Sequence, residues 1–203
     1  MSIEAILPAE TAGLEAERIA QGLRQRDLTL LNRLVDRYQG RLVRYLIHLL
    51  GRQEHVEDLV QETWLRVLER GRQYDCRWRF EAWLFTIARN LALDLLRKKQ
   101  NPSLAELPET GNEAVPPSPA EPSPFEAAAR SEDAARLASA LTALAPIYRE
   151  ALLLRFQEDM SLQEIANIVQ APVTTVSSRI YRGLAVLRAH LETEEKADDG
   201  RSG

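Results

Sequence analysis

Cysteine is nearly absent from this chain. One thiol, Cys76, among 203 residues excludes an intramolecular disulfide framework and a multi-cysteine zinc site, and it fits a reducing compartment. Long apolar runs are missing as well. Stretches such as Leu152 to Leu154 fall far short of the roughly 18 residues that a membrane span requires. The first twenty residues lack a basic start followed by an apolar core, so no secretory signal is expected and cytoplasm is the default location. Histidine is scarce: His48, His55 and His190 are dispersed. There is no Gly-rich phosphate loop, no HExxH and no nucleophile beside a recognisable base. No catalytic residue, metal site or cofactor is therefore expected.

What is present, 45% hydrophobic and 28% charged residues, suffices for one ordinary domain or two small helical ones. The net charge of -4 argues at first sight against a nucleic-acid partner, because phosphate binding needs Lys and Arg. The charges, however, are not spread evenly. Residues 1–26 carry a net -1, residues 27–100 a net +4, residues 101–135 a net -6, residues 136–190 a net +2 and residues 191–203 a net -3. The acidic middle also holds seven of the ten prolines, from Pro102 to Pro124. Such a stretch cannot bury enough apolar surface to offset its ordering entropy, so a flexible linker is expected. The chain divides into an N-terminal extension (1–26), a first module (27–100), the linker (101–129), a second module (130–191) and an acidic tail (192–203). Residues 1–20 and the tail are expected to be either regulatory or disordered.

Both modules read as helices, and the expected class is all-α. Leu31, Leu34, Val35, Tyr38, Leu42, Tyr45, Leu46, Leu49 and Leu50 recur at three- and four-residue spacing, with Gly40 a possible break and Gly51 a stop. A second helix is predicted from about His55 to Arg70, with Gly71 as its stop. A third runs from about Phe80 to Lys99, its apolar face including Trp83, Leu84 and Ile87, and its basic end suits the helix dipole. Between these two lies GRQYDCRWR, Gly71 to Arg79, where arginines and aromatics interleave. In the second module, helices are predicted from Ser131 to Leu144 and from Pro146 to Phe156. Ser161 and Glu164 have the spacing of a capping box. The helix that they open and another after Gln170-Ala171-Pro172 make a helix-turn-helix, with the small Ala166 at the close approach. In that motif the start of the second helix enters the major groove, which would place Thr174, Thr175, Ser177, Ser178, Arg179 and Arg182 against DNA. An ordinary helical hairpin with a solvated basic face has the same spacing.

The run SLQEIANIVQAPVTTVSSRIYRGLAVLR, Ser161 to Arg188, resembles the promoter-reading region four of bacterial extracytoplasmic-function (ECF) sigma factors. EDLVQETWLRVL (Glu57 to Leu68) and WLFTIARNLALDLLRKK (Trp83 to Lys99) resemble their region two. The resemblance covers both modules in the family order. Gln170 stands where a turn glycine is common, and Ser177 and Leu184 stand where the family is often basic. The resemblance implies two small helical domains and core RNA polymerase as partner, through the clamp helices of its largest subunit and the flap of its second-largest. It places Asp58, Gln61 and Glu62 on the clamp, with Leu59 and Leu65 as apolar support. It implies promoter DNA as the second partner. Arg77, Trp78 and Arg79 would capture the unpaired minus-ten strand, for which basic grooves with aromatic platforms are suited. Arg89, Asn90, Arg97, Lys98 and Lys99 would line the duplex or its junction, and the second-module residues above would read the minus-thirty-five element. An anti-sigma factor is a further implied partner.

Periodicity makes Trp83 a core residue, while Tyr74, Phe80 and Trp64 fit either core or contact. The linker would pass toward the RNA exit path or act as a passive tether. Cys76 would be a redox switch only if its thiol were exposed and its pKa lowered; an incidental cysteine is the plainer account. A helix-turn-helix regulator that does not join polymerase remains the alternative.

Overall fold

The computed structural model describes residues 9–51, 53–99 and 132–199, and side chains within these from residue 13 to 97 and from 136 to 192. Every regular element among the described residues is helical. They are α1 (Ala9–Gln25), α2 (Leu28–Leu50), α3 (Val56–Arg70), α4 (Phe80–Lys99), α5 (Glu132–Ala143), α6 (Pro146–Leu152), α7 (Leu162–Val169) and α8 (Val173–Asp199). A 3-10 turn, Gly71–Gln73, follows α3, and α6 runs on into a π-helical turn, Leu153–Gln157. The expected linker lies outside the described residues.

Local signals account for most boundaries. The Asp27 carboxylate accepts from the amides of Thr29 and Leu30 at 2.8 and 3.1 Å, which starts α2. Gly40 does not break that helix, and Gly51 ends it at φ +67°, a conformation that glycine adopts without a Cβ penalty. Gly71 has a different role from the expected stop. Its backbone stays right-handed, and a Cβ there would lie 3.0 Å from Cβ of Leu23. The missing side chain lets α1 press onto the end of α3.

The helix α1 itself went unread in the sequence. Ala16, Ile19, Ala20 and Leu23 of α1 are buried, so the inward face of this helix belongs to the first module's core. At the other end, α8 continues unbroken to Asp199, through much of the expected acidic tail.

In the second module both capping-box bonds form. The Ser161 hydroxyl accepts from the Glu164 amide at 3.2 Å, and the Glu164 carboxylate accepts from the Ser161 amide at 2.8 Å. Gln170 takes the left-handed conformation, φ +54°, that glycine would fill more easily, and its side-chain amide donates to the Asn167 carbonyl at 2.7 Å. Replacing Gln170 with glycine removes that backbone cost. The substitution is expected to stabilise the fold by about 0.5–1 kcal/mol, read as a rise in the thermal midpoint. An unchanged or lower midpoint would show that the side-chain hydrogen bond outweighs the backbone relief.

The two modules touch. Helix α4 packs on α3 on one side and on α7 on the other, and α6 rests on α2. Leu154, Met160, Ile165, Ile168 and Val176 belong to the same buried cluster as Leu42, Leu46, Leu84 and Phe85.

Candidate nucleic-acid interface

Three surfaces carry the residues singled out in the sequence. The first is the outer face of α3. Asp58, Gln61 and Leu65 are exposed there and Glu62 is half-exposed. Leu65 is 52% exposed on the same face. The Glu62 carboxylate accepts from Arg66 Nε at 2.9 Å, and Arg66 also reaches Glu69 at 3.3 Å. Leu59 does not join this face. It is 8% exposed, because its helical position turns it inward with Val56, Val60 and Thr63, so its expected role as outer apolar support gives way to core packing.

The second surface is the loop from Gly71 to Arg79. Tyr74 is buried, its ring 5.3 Å from that of Trp83 and 5.8 Å from that of Phe80. Its hydroxyl donates to the Trp78 carbonyl at 2.8 Å. Tyr74 and Phe80 therefore hold the loop from beneath, and the open choice between core and contact falls to core for both. Trp64 is buried too, while Trp83 packs half-buried against the same cluster. Burial keeps the Tyr74 phenol well above its usual range, which leaves its hydroxyl a donor. Arg77 is exposed, with Nε 3.1 Å from the Asp75 carboxylate, and Trp78 is half-exposed beside it.

Cys76 sits here at φ +61°, its thiol directed at the Ala16 carbonyl, 3.5 Å away. Burial raises its pKa despite nearby Arg24. The protein environment thus favours the thiol over the reactive thiolate, the reverse of what a redox switch needs.

Two of the arginines expected at the DNA are otherwise engaged. Arg79 Nε donates to the Glu164 carboxylate at 2.8 Å, and its Nη2 donates to the Asp159 carbonyl at 2.9 Å. Arg89 is 7% exposed, and its Nε donates to the Glu150 carboxylate at 2.8 Å. In this conformation Arg89 does not line an open surface. It lies on the inward stripe of α4 with Phe85, Ala88 and Ala92, and the second module covers it. Asn90 and Arg97 are exposed, and Arg97 pairs with Asp94 at 3.3 Å. The side chains of Lys98 and Lys99 lie outside the described ones.

The third surface is the start of α8. Val176 is fully buried and anchors the helix. Thr174, Thr175, Ser178, Arg179 and Arg182 line one shallow groove together with Ile147 and Tyr148 of α6. Ser177 is exposed but stands outside this groove. Hydroxyls and guanidiniums at steps of three and four residues form a polar strip that can bond phosphate oxygens and base edges together.

The Glu150 and Glu158 carboxylates are the interface residues that sequence reasoning missed. A signal existed: Glu150 falls on the same stripe as Ile147, Ala151 and Leu154, and an acid on an otherwise buried stripe requires a buried base or donor.

Two family models match the chain, Sigma-70 region 2 over residues 34–101 and Sigma-70, region 4 over residues 134–187. The ECF RNA polymerase sigma factor SigX of Bacillus subtilis is 31% identical over 168 residues, spanning 82% of this chain and 87% of SigX. The chain belongs to the ECF sigma factors. SigE of Mycolicibacterium smegmatis, another ECF RNA polymerase sigma factor, is 36% identical over 78% of this chain, which spans 60% of SigE. Among solved structures, the ECF sigma chain is similar to CnrH, seen in complex with the cytosolic domain of CnrY. The TM-score is 0.59 at 27% identity, covering 90% of this chain and 97% of that one. The sigma factor RpoE of Bartonella quintana, in complex with the anti-sigma factor NepR, shares the fold at a TM-score of 0.61 and 24% identity, over 79% of this chain and 96% of that one. No helix among the described residues is long and apolar enough to cross a membrane.

Proposed function

We propose that this ECF sigma factor docks on core RNA polymerase, directs it to a set of promoters and helps to separate their strands in the cytoplasm. The residues from 27 to 100 act as region two and those from 130 to 191 as region four. The observation that carries the reading is the start of α8, whose inner face is locked by Val176 while its outer face presents Thr174, Ser178, Arg179 and Arg182 along one groove. That is the geometry with which a helix-turn-helix enters a major groove.

On α3 the exposed Asp58, Gln61, Glu62 and Leu65 suit a basic partner surface with apolar contacts, as the clamp helices of the largest subunit would supply. The flap of the second-largest subunit is the partner of region four. The loop residues Arg77, Trp78 and Arg79 take the unpaired strand, with Asn90, the basic end of α4 and, once the modules part, Arg89 beside the duplex. CnrH is held by the cytosolic domain of another protein, and an anti-sigma partner that covers the polymerase-facing surfaces is proposed here by extension.

Transcription from a promoter library by core polymerase, with and without the chain, tests the whole reading. Arg179→Ala and Arg182→Ala are each expected to weaken recognition of the upstream element by about 1–3 kcal/mol where the arginine reads a guanine. Equal weakening on every sequence would reassign the arginine to a phosphate. A purified chain that does not bind core polymerase in the absence of DNA would overturn the sigma reading.

A further inference from the structure

The second module has four acidic residues between positions 136 and 190: Glu150, Glu158, Asp159 and Glu164. All four face arginines of the first module. Glu150 accepts from Arg89 Nε and from the Tyr45 hydroxyl, both at 2.8 Å. Glu158 accepts from Arg41 Nε at 2.7 Å, and Glu164 pairs with Arg79 at 2.8 Å. Asp159 contributes its carbonyl to Arg79. The three carboxylates are nearly closed off from water, at 2%, 1% and 7% side-chain exposure. Three carboxylates of the second module are thus buried against arginines of the first.

We propose that Glu150, Glu158 and Glu164 form an intramolecular latch, which holds the free chain closed through Arg89, Arg41 and Arg79 and so occupies Arg89 and Arg79 as promoter phosphates otherwise would. The proposal rests on the reading of Arg79 and Arg89 as DNA-facing groups. The two cannot meet carboxylate and promoter at once, so the modules must part before the strand-capturing surface is complete.

The chemistry of the interface fits a releasable contact better than a permanent one. Glu150 Oε2 and Glu158 Oε1 are buried without a hydrogen-bond partner, and burial raises the Glu158 pKa against the pull of Arg41. A buried ion pair with unsatisfied oxygens retains much of its desolvation cost. Separation into water returns that cost, which offsets part of the apolar contact that the modules share and leaves less for polymerase docking to overcome. Glu164 behaves differently: despite burial, its bonds to Arg79 and Ser161 bring its pKa below the usual carboxylate value. It is the anchored member of the three.

The test is the double substitution Glu150→Gln/Glu158→Gln in the full chain, which leaves the capping box and every proposed DNA-facing residue intact. Small-angle scattering of the free protein is expected to show a compact wild type and an expanded variant. Binding of the free variant to promoter duplex is expected to be at least about tenfold tighter, because apparent affinity scales with the open fraction. Arg41→Gln, scored in the same way, replaces the double variant if far-UV circular dichroism shows that the latter has lost helicity. An expanded wild type, a variant as compact as wild type, or opening without a gain in DNA affinity would each overturn the latch. Binding to core polymerase is measured separately. Its absence in both proteins would remove the sigma reading, while scattering and duplex binding still decide the latch.

Discussion

Replacing Arg149 with methionine is expected to destabilise the second module by about 3–5 kcal/mol, enough to abolish cooperative folding of a marginally stable unit. Arg149 is 4% exposed, yet among the described residues no carboxylate pairs with it. Its guanidinium instead donates to the carbonyls of Leu141, Thr142 and Leu144 at 3.0, 2.6 and 2.9 Å, and to that of His48 at 3.1 Å. The first three belong to the end of α5 and the turn after it, where carbonyls have no intrahelical donor. Partial negative charge at that helix terminus balances the buried cation. Methionine keeps the apolar stem but leaves these buried and partly buried carbonyls without the guanidinium donors. Lysine, a point charge with three donors, is expected to recover only part of the loss. A thermal or urea melt measures both. A methionine variant within about 1 kcal/mol of wild type would mean that water replaces the guanidinium.

Charge reversal on α3, Asp58→Arg with Glu62→Arg, is expected to weaken binding to core polymerase at least a hundredfold. Like charges brought together across an interface cost several kcal/mol and slow the encounter as well. Asp58 is well exposed, at 81% of its side chain, and Glu62 bonds to Arg66 of its own helix, so the fold should tolerate the change. Circular dichroism should be unaltered while surface-plasmon binding to core enzyme falls. Undiminished binding would place the docking surface elsewhere.

Legibility in the sequence followed the distance over which each signal acts. Phe80–Lys99 was readable to the residue, because its aromatic start, apolar stripe and basic end are all local. The capping box at Ser161 was readable for the same reason, since both partners lie three residues apart. Helix α1 was not: its buried face includes two alanines, and a stripe of small residues gives a faint period. Gly71 misled in another way, since a glycine after a helix signals a stop, whereas here its lack of a Cβ admits Leu23.

The pairings of Glu150 with Arg89 and of Glu158 with Arg41 span 61 and 117 positions, and no spacing rule records them. The net charge could be divided by segment, but the buried acids that face Arg41, Arg79 and Arg89 proved to come from the second module itself. Leu59, Arg89 and Tyr74 share one lesson. A motif supplies the helix on which a residue stands, and packing decides which way it faces.

Glu164 serves two partners at once, and the bonds to each are separable. Those with Ser161 lie wholly within the second module, so they persist when Arg79 departs. The start of α7 then needs no refolding, and the slow nucleation of a new helix is avoided. Passage from the stored to the working form is a rigid-body undocking. It parts three ion pairs and the apolar surface beside them, and the promoter-reading unit reaches its DNA with the start of α7 already formed.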